Sequence, residues 1–148
     1  MRVSTENEIA FDLKESINLQ GDSGPYLQYT YARARSVLLK RQETSNMSHV
    51  SGRMSLNPEE RAVARLITQF PDVVAQAATN FAPSTLCSYL NKLAQAFNLF
   101  YAKHSILSVI PGQARDDKTK FRLALTAATA QVLKNGLYLL GIETLEQM

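Results

Sequence analysis

A segment near the start of the chain brings three of its six tyrosines and two arginines together: GPYLQYTYARAR, residues 24–35. Aromatic rings of this kind can stack on unpaired bases, and guanidinium groups between them can hold phosphates or base edges. The alternative is that the tyrosines are only the apolar filling of an amphipathic helix. The residue types therefore permit nucleic-acid contact, but taken alone they favour an ordinary solvent-facing amphipathic helix.

Helical periodicity separates these residues into two groups. Pro25 suits the first turn of a helix and Ser23 suits its cap. At about 100° per residue, one narrow stripe has the spacing of a core face and contains Leu27, Tyr31, Ala34 and Leu38. Tyr26, Tyr29 and Arg33 share a second line, rotated by roughly 120° from the first. We therefore predict that this second group points away from the core stripe and is free to contact a partner.

Length and composition restrict the class of protein. A chain of 148 residues with 45% hydrophobic side chains is long enough for one domain with a core of its own. No apolar run reaches the ~20 residues of a membrane helix, and residues 1–20 lack a signal sequence, so we expect a cytoplasmic monomer. Cys87 has no second cysteine to pair with, and with two histidines we expect no metal site. The net charge of +3 permits a polyanionic partner.

The clearest helix start lies after a polar stretch at 44–55. Asn57 is a cap, Pro58 takes the first helical position, and Glu60 completes a capping box. An apolar stripe follows at helical spacing: Val63, Leu66, Ile67 and Phe70. Pro71 is predicted to end this helix and to open another, whose apolar residues are Val73, Val74, Ala77, Ala78 and Phe81.

Two long helices complete the chain. One begins at Pro83 and carries the stripe Leu86, Leu90, Leu93, Phe97 and Phe100, with Tyr101 at its edge. After a loop at 105–117, the last helix is predicted from about 118 to 140, with Gly141 as its left-handed cap. One face of it contains Phe121, Leu125, Ala128, Val132, Gly136 and Leu139. With no convincing strand, the prediction is an all-α bundle of about five main helices.

Signatures of catalysis are missing from the sequence. There is no glycine-rich phosphate loop, no GxSxG and no HExxH. The adjacent carboxylates Glu59-Glu60 and Asp116-Asp117 fall at predicted helix starts, where acidic groups favour the macrodipole. His104 falls at a predicted helix end. We therefore predict no catalytic residue and no metal ligand in this chain.

Several ordered motifs together resemble the anticodon-binding bundle of the arginyl-tRNA synthetase family. They are GPYLQY at 24–29, LNPEE at 56–60, FPDVV at 70–74, AQAFN at 94–98, VLKNGL at 132–137 and the terminal Met148. The resemblance covers roughly residues 7–148. It implies that residues 23–148 are an anticodon-binding helical bundle and that residues 1–22 are a linker from a missing catalytic domain.

The resemblance also implies roles for individual residues. Tyr26, Tyr29 and Arg33 match positions that contact the anticodon loop of arginine tRNA. Tyr101 matches a tyrosine that stacks on an anticodon base, and Met148 matches a terminal methionine that lies against the anticodon. These five residues are the predicted tRNA-binding site.

The parent enzyme of such a bundle is a class I ligase that joins arginine to tRNA with ATP and magnesium. The HIGH-like and KMSK-like signatures of its catalytic domain do not occur in this sequence. The resemblance therefore predicts a fragment that needs no cofactor, is inactive alone, and has arginine tRNA and its own catalytic domain as partners. The rival hypothesis is a stand-alone protein-interaction bundle descended from a synthetase. The similar bundle of the cysteinyl enzyme is less favoured, because GPYLQY and the terminal Met148 argue against it.

Overall fold

Helices account for nearly all of the part of the chain that the structure describes. The computed structural model describes residues 23–42, 55–106 and 113–145. Its helices are α1 (Gly24–Gln42), α2 (Pro58–Thr79), α3 (Pro83–Lys103) and α4 (Gln113–Leu139). These ranges contain no strand, and the predicted all-α bundle is confirmed. The predicted linker at 1–22 and the predicted contact at Met148 lie outside the described residues.

The predicted helix boundary at Pro71 is wrong, because α2 runs through it without interruption. Proline has no N–H to donate to the carbonyl four residues earlier, which costs the helix one hydrogen bond. Pro71 is on the exposed side of α2, where water can satisfy that carbonyl. The apolar face continues across it into the core through Phe70, Val73 and Val74. Phe81, predicted on the same stripe, instead lies beyond the end of α2 with 89% of its surface exposed.

The last helix begins at Gln113, earlier than the predicted start near residue 118. The Asp116-Asp117 pair is therefore inside its first turns, where negative charge is favourable. The buried surface of α4 is also wider than the single apolar face predicted for it. Leu139 is 54% exposed, whereas the buried residues include Leu133, Leu137 and three threonines, Thr119, Thr126 and Thr129. The helix packs against α1, α2 and α3, so more than one face of it is covered.

The predicted helix caps are confirmed. The Ser23 hydroxyl accepts a hydrogen bond from the backbone N–H of Tyr26 at 3.3 Å. The Glu60 carboxylate accepts one from the backbone N–H of Asn57 at 2.8 Å, as a capping box requires. Beyond α4, Gly141 has φ +73°, and the N–H of Ile142 reaches back 2.9 Å to a carbonyl in the last turn. These caps fix where the helices begin and end.

The core lies where α3 crosses the other helices. All five predicted stripe residues of α3 are buried, and so are Leu27, Tyr31 and Ala34 of α1. Gly136 of α4 faces Leu90 of α3 so closely that a Cβ atom on the glycine would be 2.5 Å from Cδ2 of the leucine. This packing holds one side of α1 against the bundle. The second line of α1, which contains Tyr26, Tyr29 and Arg33, lies near the carboxyl end of α3.

Candidate nucleic-acid interface

Tyr29 and Arg33 are one turn apart on α1 and form a stacked pair. The central carbon of the guanidinium lies 4.6 Å from the centre of the Tyr29 ring. The same guanidinium donates a hydrogen bond to the Tyr29 hydroxyl. A spacing of four residues places both side chains on the same face of the helix. Arg33 is therefore held in place over an aromatic ring, and is not the unpaired group that the sequence suggested.

Tyr101 of α3 supplies a second aromatic ring to the same guanidinium. The Arg33 carbon lies 5.0 Å from the centre of the Tyr101 ring. Behind that ring is Phe97, fully buried, at 6.4 Å between ring centres. Tyr101 itself remains 39% exposed. A cation between two aromatic rings, one from each helix, gives this surface both positive charge and flat faces for stacking.

Asn98 joins the two helices at this position. Its Nδ2 donates to the Tyr26 hydroxyl and to Oγ1 of Thr30, both at 3.0 Å. Its Oδ1 accepts a hydrogen bond from Arg33 at 3.1 Å. The sequence analysis did not select Asn98 or Thr30 as site residues. The signal for Asn98 was its position three residues before Tyr101, which puts the two on one face of a helix.

Four of the five predicted site residues are thus brought together: Tyr26, Tyr29, Arg33 and Tyr101. The fifth, Met148, lies outside the described residues. The chain after α4 is tied to α1 nearby, because Gln28 donates from its side chain to the backbone carbonyl of Glu143 at 2.8 Å. None of the ion pairs among the described residues includes Arg33. Its charge is therefore not neutralised by a carboxylate within that part of the chain.

Comparison with known proteins identifies the family of this chain. The family described as "DALR anticodon binding domain" matches residues 27–148, most of the chain. The chain belongs to this family. It is 41% identical over 149 residues to the arginine–tRNA ligase of Streptococcus pneumoniae (strain CGSP14) and 34% identical over 154 residues to that of Pyrococcus furiosus. All of this chain is covered in both matches, but only 25% and 24% of the ligases.

A solved structure shows the same arrangement of helices. The arginyl-tRNA synthetase of Thermus thermophilus superposes with a TM-score of 0.75 at 29% identity. The match covers 93% of this chain and 23% of the synthetase. This member of the DALR anticodon binding domain family therefore spans about a quarter of the proteins that it resembles.

The adjacent carboxylates Glu59 and Glu60 are used for structure in this DALR domain. Glu60, fully buried, pairs with Arg122 of α4 at 2.7 Å. Arg122 also donates to the backbone carbonyl of Ser105 at 2.7 Å, after the end of α3. Glu59 pairs with Lys103 at 2.7 Å and with His104 at 3.2 Å. These pairs attach the amino end of α2 to α3 and α4, as expected of helix-end acids.

The partners of these two acids lower their pKa values. The Lys103 ammonium and the His104 ring, with a backbone N–H, hold the pKa of Glu59 at about 2, below its ordinary 4.5. Burial alone would raise the pKa of Glu60. The backbone N–H of Asn57 and the guanidinium of Arg122 outweigh that effect and lower the pKa. Both groups are therefore ionised at neutral pH, as their hydrogen bonds require.

Tyr26, Tyr29, Arg33 and Tyr101 together are called the tyrosine surface. Away from it, the described residues form a broad apolar groove between α2 and α4. It is lined by Phe70, Pro71, Val74, Ala75, Tyr138 and Leu139. Tyr138 is 81% exposed at its edge. No helix among the described residues is long and apolar enough to cross a membrane. No three His, Cys, Asp or Glu side chains among these residues are grouped as they would be around a metal ion.

Proposed function

We propose that this chain binds the anticodon loop of arginine tRNA through the surface formed by Tyr26, Tyr29, Arg33 and Tyr101. The observation that carries the proposal is the Arg33 guanidinium, whose central carbon lies 4.6 and 5.0 Å from the centres of two tyrosine rings on different helices. Membership in the DALR anticodon binding domain family supports the same function.

The chemistry of the surface suits a single-stranded loop. Unpaired bases can leave the stack and lie on aromatic side chains, and each such stack contributes about 1–3 kcal/mol. The planar guanidinium of Arg33 can hold a phosphate or a base edge with two parallel hydrogen bonds. We also propose, from the resemblance alone, that Met148 contacts the anticodon.

The chain is proposed to act within a longer arginine–tRNA ligase. The ligases that it matches are about four times its length, since it covers only 25% and 24% of them. Arginine activation with ATP and magnesium is then the task of the rest of that enzyme, with the catalytic domain as the second partner of this chain. The chain alone is expected to give no ATP–pyrophosphate exchange above background.

A filter-binding titration with an arginine anticodon stem-loop tests the binding function. Arg33→Ala and Tyr29→Ala are each expected to weaken binding by about tenfold or more, because each removes one member of the stacked pair. Arg65→Ala, which removes an exposed arginine from α2, is the matched control for charge and is expected to change little. Equal affinities for all three variants and the unaltered chain would disprove this site.

The second candidate is a protein-interaction module, and the apolar groove between α2 and α4 is the observation that favours it. Leu139→Ser and Tyr138→Ser disturb this groove without touching the tyrosine surface. If the chain functions through tRNA, these variants keep their affinity for the stem-loop. If the chain binds no stem-loop at all, the interaction module becomes the better explanation.

A further inference from the structure

In the hydrogen bonds around Asn98, the donor and the acceptor of each bond are fixed. The assignment begins with the hydroxyl of Thr30. The Thr30 hydroxyl, fully buried, donates its proton to the backbone carbonyl of Tyr26 at 2.9 Å. A hydroxyl has only one proton to donate. Toward Asn98, 3.0 Å away, the Thr30 oxygen can therefore only accept.

This requirement sets the orientation of the Asn98 side-chain amide. The Nδ2 group must face Thr30, so Oδ1 must face Arg33, which has donors and no acceptor. The contact with Thr30 and the contact with Arg33 therefore favour the same orientation of the amide. The opposite orientation would set an NH2 group against a guanidinium and an oxygen against an oxygen.

The consequence appears at the two tyrosine hydroxyls. Tyr26 accepts a hydrogen bond from Asn98, and Tyr29 accepts one from Arg33. Each hydroxyl therefore retains its own proton for an outside partner. Together with the remaining N–H groups of Arg33, these two hydroxyl protons give the surface several donors for an outside group.

We propose that Asn98 is the positioning residue that keeps the Tyr26 hydroxyl proton available and so makes this surface a donor site. The ligand group that it takes is then an acceptor, either a phosphate oxygen or the oxygen and ring-nitrogen acceptors of an unpaired base. This inference rests on the proposed binding of an anticodon loop and specifies which atoms of the loop are held.

Asn98→Asp reverses the direction of the network and is the direct test. A carboxylate can accept from Arg33 but cannot donate to Tyr26 or Thr30, so the Tyr26 hydroxyl must turn its proton inward. In the filter-binding titration we expect the affinity for the stem-loop to fall about tenfold or more. Asn135→Asp places the same added charge at an exposed position of α4 and is expected to have little effect.

A double-mutant comparison separates positioning from a merely structural role. In the unaltered chain, Tyr26→Phe removes a donor and is expected to weaken binding about fivefold. In the Asn98→Asp chain the same change is expected to cost less than about twofold, because that proton has already turned inward. Equal costs in both backgrounds would overturn the inference.

Thr30 provides a second pair of variants that leaves the charge unchanged. Thr30→Val keeps the volume but removes the oxygen that orients the amide, and a loss of about threefold is expected. Thr30→Ser keeps the oxygen and is expected to bind as the unaltered chain does. Thermal melting of each variant checks that it is folded, and equal binding by folded Thr30→Val and Thr30→Ser would contradict the proposal.

A stem-loop with abasic sites in place of the anticodon bases identifies the acceptor. If the Tyr26→Phe effect persists on the abasic loop, the acceptor is a phosphate; if it disappears, the acceptor is a base, and either result supports a donor site. Normal responses to Arg33→Ala with no response to Asn98→Asp would overturn this inference alone. Failure of the unaltered chain to bind the stem-loop would overturn the proposed function and this inference with it.

Discussion

The guanidinium of Arg33 on α1 lies 5.0 Å from the centre of the Tyr101 ring on α3. The two residues are far apart in sequence, and only the packing of α1 against α3 brings them together. Asn98 strengthens that contact from the α3 side with hydrogen bonds to three residues of α1. The proposed binding surface is therefore a property of the helix pair.

Tyr101→Ala is expected to weaken stem-loop binding by about 1–3 kcal/mol, because it removes one of the two rings available for stacking. Tyr138→Ala is the matched control, since it removes a more exposed tyrosine from α4. Filter binding at constant salt measures both. A loss of affinity in the control equal to that in Tyr101→Ala would assign the effect to general surface changes.

Arg122→Met is expected to destabilise the fold by about 3–5 kcal/mol, because it leaves the fully buried Glu60 carboxylate without its ionic partner. Lys103→Met removes the partner of Glu59 in a pair whose lysine is 54% exposed, and is expected to cost much less, because solvent screens such a pair. Urea unfolding gives both values. If the two variants lost the same free energy of unfolding, burial of the Glu60–Arg122 pair would not explain its contribution to stability.

Acid is expected to destabilise the fold through Glu59. The pKa of Glu59 is about 2 in the folded chain and 4.5 as its ordinary value, so unfolding takes up a proton as the pH falls between these values. The stabilisation is complete above about pH 4.5 and is lost toward pH 2. The lowered pKa of Glu60 acts in the same direction.

Urea unfolding as a function of pH measures this loss, and Glu59→Gln should make the free energy of unfolding less dependent on pH in that window. Lys103→Gln should have a similar effect, because Lys103 is the largest cause of the lowered pKa. An unchanged pH dependence in both variants would show that Glu59 does not control acid stability.

Gly136→Ala is expected to destabilise the fold by about 1–3 kcal/mol through overpacking. The new Cβ would lie 2.5 Å from Cδ2 and 2.8 Å from Cδ1 of Leu90, which outweighs the better helix propensity of alanine. Gly24→Ala is the control, because its new Cβ would lie 4.0 Å from Cδ1 of Ile142, an ordinary van der Waals contact. In a Leu90→Ala background, the additional destabilisation caused by Gly136→Ala should be much smaller, as measured by thermal unfolding.

Local periodicity was enough to divide the α1 tyrosines. Tyr31 has 2% of its surface exposed, whereas Tyr26 and Tyr29 are half-buried, which agrees with the division that the helical wheel predicted. Tyr26 also packs against the core, which the wheel did not predict. The capping box at Asn57 and Glu60 was also readable, because both partners lie within one turn. Features that depend on residues close together in the sequence can therefore be predicted without a structure.

Features that depend on distant partners were not accessible. Asn98 gains its role only from α1, and Glu60 gains its ionic partner only from Arg122 of α4. Pro71 was misread because a proline is a local stop signal, while the burial of the α2 face that overrides it is a tertiary effect. The wider burial of α4 has the same cause, since three helices cover it.

The division of the site between α1 and α3 links ligand binding to folding. In an unfolded chain Arg33 has neither Asn98 nor Tyr101 beside it, so that state has no preformed site. A ligand that binds only the folded state stabilises it by RT ln(1 + [L]/Kd), about 2.7 kcal/mol at a hundredfold excess over Kd. The anticodon loop would then raise the melting temperature of the bundle, because it would bind α1 and α3 only when the two helices are packed together.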